Sequence, residues 1–263
     1  MADTEYSQEE ITAFDEAGRA YERFKNVLDV HGAAIITFET YPTLPTVDDA
    51  VSTGLRMRSG MKPENPNSPT IERALRLRKI VEAERDRGYE VIRSSALVAA
   101  CGAFEYLLKA TYVSQALLRP TEAADMLSDA RVKFSASEVM GKADAERWYV
   151  IADSLFKESS QTGRLMYARV KHFLVEYVHM PNSDAEVELQ STFTDIDRQR
   201  FDKAFLLRNC IVHNGMRVGM ELARHTGAGL GQEISFQKET LQPLLAPIRS
   251  VASWMNSLRT GFL

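Results

Sequence analysis

Arg208, Asn209 and His213 are the residues of this chain whose types and spacing best suit chemistry on a phosphate. An arginine offers a planar fork of donors that matches phosphate oxygens. A histidine can give or take a proton near neutral pH. All three lie in the stretch LLRNCIVHNG, Leu206 to Gly215, at the end of an apolar helical run. The same stretch also reads as an ordinary helix stop. Basic side chains in a last turn complement the negative end of the helix dipole, and Asn or Gly just beyond suits a left-handed turn.

Helical phase separates the two readings for Arg208. At about 100° per residue, Phe201, Ala204, Phe205, Ile211 and Val212 lie within roughly 60° of it. Arg208 is thus centred on the apolar face, where an unpaired guanidinium is costly. Glu105 has the same peculiarity upstream. In ALVAACGAFEYLLKATY it shares a face with Val98, Cys101, Leu108 and Tyr112. Two opposite charges on apolar stripes invite an ion pair, although Glu105 could instead snorkel to the helix edge. His213 is five residues past Arg208 and so turned about 140° from it in an ideal helix. A helix C-terminus in general favours a protonated imidazole, which suits a general acid.

The elements that must position these residues are helical. Ser7 and Glu10 have capping-box spacing. Ile11, Phe14, Ala17, Tyr21, Phe24 and Leu28 then recur every three or four residues, an amphipathic stripe expected to end near Gly32. Residues 33–69 hold most of the prolines and read as a connector, with one short helix near Asp48 to Met57. The expected division is an N-terminal helical arm and proline-rich connector over 1–68, then a helical domain over 69–263.

In that domain a charged helix opens at Ser68-Pro69-Thr70 and bends near Gly88. It continues into a very apolar helix that Pro120 closes. Shorter helices fit 121–132, 137–141 and 143–158. GRLMYARVKHFLVEYVHM makes another, and Asp195 to His213 the next. TGAGLGQEISF is a glycine-rich loop with a short extended piece, and a last helix runs from about Lys238 to Leu258 with Pro243 and Pro247 near its start. No repeat and no sheet is visible. The class is all-α.

The 263 residues suffice for a substantial core. A net charge of -4 and a pI near 5.8 exclude wholesale attraction to nucleic acid, so any basic site must be local. The two cysteines, Cys101 and Cys210, have neither metal-ligand nor redox spacing, as in a reduced intracellular protein. The N-terminus lacks a signal-peptide core, and the apolar runs look shorter than a bilayer span. A cytoplasmic location and no membrane partner are expected.

Other features read as structural. His172, Glu176 and His179 share one face, but a di-iron bundle needs a second Glu-x-x-His, which is absent from the sequence. Gly227, Gly229 and Gly231 do not follow a strand as a dinucleotide fingerprint would. Arg73, Arg76 and Lys79 have the spacing of a basic stripe that could meet RNA. Interleaved acidic residues make a solvated face the competing reading.

Arg208-Asn209, three residues, then His213 resembles the arginine–asparagine–histidine signature of HEPN-domain ribonucleases. FEYLLKATY resembles that family's first core helix with its acidic residue. The segment from His213 through the glycine-rich loop to the last helix resembles its ending. The likeness covers about 94–110 and 197–257. It implies a HEPN-like helical bundle and a metal-independent endoribonuclease with no cofactor. The ribose 2′-hydroxyl would attack the adjacent phosphate, leaving a cyclic phosphate and a 5′-hydroxyl. His213 would be the general acid–base, Arg208 the stabiliser of phosphate charge, and Asn209, or less directly Asn214, an orienting group. Glu105 would hold Arg208.

The family further implies an RNA substrate, a homodimer with facing motifs, an inhibitory partner protein, and a role in toxin–antitoxin or antiviral defence systems. Some toxin members carry a tyrosine two residues after the histidine, where this chain has Gly215. Two alternatives remain: a non-catalytic HEPN-type dimerisation or interaction module, and a nucleotide- or phosphate-binding domain with Arg208 as its anion clamp.

Overall fold

In the computed structural model the described residues are 8–40, 76, 79, 82–129, 142, 144–161, 165–176, 193–236 and 238–261. They include the helices α1 (Gln8–Thr40), α2 (Glu90–Leu118), α3 (Pro120–Asp129), α4 (Asp144–Gln161), α5 (Met166–Glu176), α6 (Asp195–His213), α7 (Met220–Thr226) and α8 (Lys238–Gly261), and residues 82–86 are helical as well. Among the described residues the only β pairing is an isolated antiparallel bridge between Arg217 and Glu233. The all-α class holds, and the expected extended piece amounts to that one bridge. The Ser7 end of the capping box, the helices near Asp48 to Met57 and 137–141, Arg73 and His179 lie outside the described residues.

The centre of the fold is α2, packed by α1, α4, α6 and α8. Its composition explains the position. Leu97, Ala100, Cys101, Phe104, Leu108 and Val113 are all fully buried, and small residues between them let neighbours approach closely. Phe104 meets Phe201 and Phe205 of α6 edge-on, with ring centroids 5.5 and 5.9 Å away. By length and composition α2 could also cross a membrane, which corrects the reading of the apolar runs as too short. In this fold it lies at the centre of a helical core.

One further expectation changes. α1 passes through Gly32 and continues to Thr40. One helical glycine costs only about 1 kcal/mol, and Ile35 beyond it packs against the core. α1 packs on the core: Ala20, Phe24 and Leu28 belong to the same cluster as α2. Its polar side is tied in as well. The Tyr149 hydroxyl of α4 donates to Glu16 at 2.6 Å and lies 3.1 Å from the Tyr106 hydroxyl of α2. Burial, then the bond to Glu16, pushes the Tyr149 phenol well above its usual range.

The break at Gly88 is real. Gly88 and Tyr89 both adopt left-handed backbone, φ 67° and 59°, which a helix interior cannot contain. The Glu84 carboxylate accepts from the Val91 amide at 3.1 Å, covering the start of α2. At the other end Pro120 opens α3 as its first residue, where its missing N–H costs nothing. Pro243 and Pro247 lie inside α8.

Candidate functional site

α6 is fixed at both ends by local chemistry. Thr194 caps its start: the threonine side chain accepts from the Asp197 amide at 3.2 Å and the Asp197 carboxylate accepts from the Thr194 amide at 3.4 Å. At its end the Asn214 amide donates to the Cys210 carbonyl at 3.0 Å. Gly215 and Met216 then turn left-handed, φ 56° and 61°. The chain reverses and is closed below α7 by Val218 N–H to Gln232 O (2.8 Å), Gly231 N–H to Val218 O (2.9 Å) and Ile234 N–H to Met216 O (2.8 Å). The Gly219 amide donates to Cys210 Sγ at 3.3 Å, so the turn after His213 is held against α6 itself.

The two charges on apolar stripes do meet. Arg208 Nη2 donates to Glu105 Oε2 at 3.5 Å across the α6–α2 contact. Arg208 Nη1 donates to the side-chain oxygen of Asn209 at 3.0 Å. The two charged side chains keep 26% and 20% of their surface exposed, enough for Arg208 to meet a ligand. Its Nε is buried and has no hydrogen-bond partner among the described residues. Cys101 lies within electrostatic range. Burial, then Glu105, pushes its thiol well above the usual range, and Arg208 acts in the opposite sense.

His213 stands apart from this group. It is the last residue of α6, exposed, and among the described residues it has no hydrogen-bond or ion-pair partner. Asn214 is the exposed C-cap, its amide 3.9 Å from Cys210 Sγ. Arg76 and Lys79 are exposed and helical. Within the chain, Arg208, Asn209 and Glu105 come together, while His213, Asn214, Arg76 and Lys79 do not join them. Among the described residues no group of three or more His, Cys, Asp and Glu side chains is placed to hold a metal.

A cavity of about 510 Å³ opens beside Asn209, between the start of α5, α6 and α7. Its polar lining includes Arg169, Asp202, Glu221, Arg224 and His225, none of which sequence reasoning singled out. The signal was present for two of them. Arg169 shares a helical face with Met166 and Phe173, and Asp202 with Phe205 and Leu206, the same anomaly that marks Arg208. Asp202 accepts from the Tyr167 amide at 2.7 Å and so covers the start of α5. Burial raises its carboxyl, opposed by the backbone amides of Tyr167 and Met166 and by His225. Burial also lowers the Arg169 guanidinium, partly offset by Glu105 and Glu221 and reinforced by Arg208.

Compared with family models, curated proteins and solved structures, the chain matches none.

Proposed function

We propose that the protein is a metal-independent endoribonuclease built on a HEPN-like bundle and working as a homodimer. The observation that carries this reading is the state of Arg208. A guanidinium on the apolar side of α6 is gripped by Glu105 and Asn209, yet remains a quarter exposed. A preorganised cation of this kind stabilises charge that develops on a phosphate without reorganising during the reaction.

The ribose 2′-oxygen attacks the neighbouring phosphorus, and the bond from phosphorus to the 5′-oxygen breaks. A 2′,3′-cyclic phosphate and a 5′-hydroxyl result. Arg208 faces the negative charge of the pentacovalent state. His213 delivers a proton to the departing 5′-oxygen, and a second His213 across a two-fold cleft takes the proton of the attacking hydroxyl. The separation of His213 from Arg208 within one chain supports this division between subunits. Asn209 fixes the guanidinium plane. A role as a toxin or phage-defence effector, restrained by an inhibitory protein in the cytoplasm, fits such an activity.

The test is incubation of purified protein with mixed RNA in EDTA, beside His213→Ala and Arg208→Ala. Cleavage that survives chelation, leaves cyclic-phosphate ends and disappears in both variants supports the proposal. A folded dimer that cuts nothing across a broad RNA panel assigns the chain instead to a non-catalytic interaction module.

A further inference from the structure

Arg169 brings a second guanidinium to the Arg208 group. It lies on α5, half-buried, within electrostatic range of Glu105, Arg208 and Glu221. Its guanidinium stacks on Phe156, 4.5 Å from the ring centroid, and its Nη2 donates to the Phe156 carbonyl at 3.2 Å. Its Nε, like that of Arg208, is buried with no hydrogen-bond partner among the described residues. Arg208 is ion-paired with Glu105, Arg169 is within range of both Glu105 and Glu221, and each guanidinium keeps one buried donor with no acceptor among the described residues. A phosphodiester offers the acceptor oxygens and the negative charge that a guanidinium pairs with.

The cavity itself suits a nucleotide. Its volume, about 510 Å³, lies within the range of small-molecule sites. Phe205 and Leu206 give it an apolar wall, and Arg224 on α7 adds a cation at the exposed rim. Of its two carboxylates, Asp202 is engaged by the Tyr167 amide, and Glu221 is exposed on the same rim as Arg224, so water and salt screen both charges alike. We infer that this cavity seats the nucleotide next to the cut, with Arg169 contacting its phosphate. The identity of the ligand as an RNA strand rests on the ribonuclease reading.

The probe is a fluorescent 2′-O-methyl oligoribonucleotide, which cannot be cleaved, titrated by anisotropy over a salt series. Arg169→Met keeps the stem against Phe156 and removes the charge. It should weaken binding about tenfold at low salt and flatten the slope of log affinity against log salt by about 0.7. Arg169→Lys should restore the slope, which a purely structural role would not predict. Arg224→Glu, at an exposed position that packing does not constrain, should weaken binding as well and keeps the test decisive if the methionine variant does not fold.

Unchanged affinity and slope in the folded variants overturn the inference. So does a wild type that fails to bind the oligonucleotide at low salt. Displacement of the strand by micromolar adenosine 5′-monophosphate would assign the cavity to a free nucleotide and overturn the strand. A wild type that binds but leaves unmodified RNA intact removes the ribonuclease reading alone. One that cuts RNA, while its Arg169→Met variant binds normally, removes the seat alone.

Discussion

Arg208 of α6 and Glu105 of α2 are 3.5 Å apart in space, and they bolt the helix bearing the candidate site to the central helix of the core. Glu105→Gln keeps the shape and removes the charge, leaving Arg208 half-buried and unmatched. Because both groups retain some water contact, the loss should be about 1–2 kcal/mol, between the values for exposed and buried pairs. Urea denaturation of Glu105→Gln, Arg208→Met and the double variant forms the cycle that measures it. Additive effects of the two substitutions would mean that the pair contributes nothing.

His213→Ala should separate function from folding. The side chain is exposed and makes no described contact, so stability should stay within about 0.5 kcal/mol of wild type. Cleavage of RNA should fall by roughly 100-fold or more if His213 moves the proton. A variant that cuts at the wild-type rate would remove His213 from the mechanism.

Arg208 was legible because its phase and its type disagree, and so was Glu105. The body of α6, from Asp195 to His213, could be read from its apolar run and the Asn214-Gly215 stop at its end. The cavity was not legible, since it is made by three segments distant in sequence. α7 contributes Glu221, Arg224 and His225, which on a seven-residue helix carry no phase signal at all. The end of α1 was misjudged because Gly32 is a weak stop that tertiary packing of Ile35 overrides.

Both cysteines should be inert in the native protein. Cys101 is fully buried and Cys210 nearly so, and burial holds the Cys101 thiol in its protonated form. Ellman's reagent should therefore label neither until denaturant unfolds the chain, at which point two thiols react. Rapid labelling in buffer would contradict the packing of α2 against α6.

Asp153 gives a pH signature. Burial works to raise its carboxyl, but Lys109 at 2.6 Å and Lys157 at 2.5 Å outweigh it and hold the group below its ordinary range. A depressed folded value means stabilisation that is present above the unfolded value, about 3.9, and lost as pH falls through the folded one. Asp153→Asn should cost less than about 1 kcal/mol at pH 7, since the site is partly exposed and screened. The gap between variant and wild type should close below about pH 4. Thermal melts across that range check it, and a gap that stays constant with pH would contradict the pairing.

The amides of Val218, Gly231 and Ile234, which close the chain below α7, divide this end of the molecule by timescale. Hydrogen exchange at those three positions requires the closure to open, whereas the exposed tip around Gly229 and Leu230 can fray alone. His213 hangs from the last turn of α6, against which the Gly219 amide holds the following turn, while an exposed side chain such as its imidazole hops rotamers in picoseconds to nanoseconds. Arg208, held by Glu105 and Asn209, has no comparable freedom. The two residues read from one short stretch of sequence are, in motion, a locked clamp and a free swinging arm.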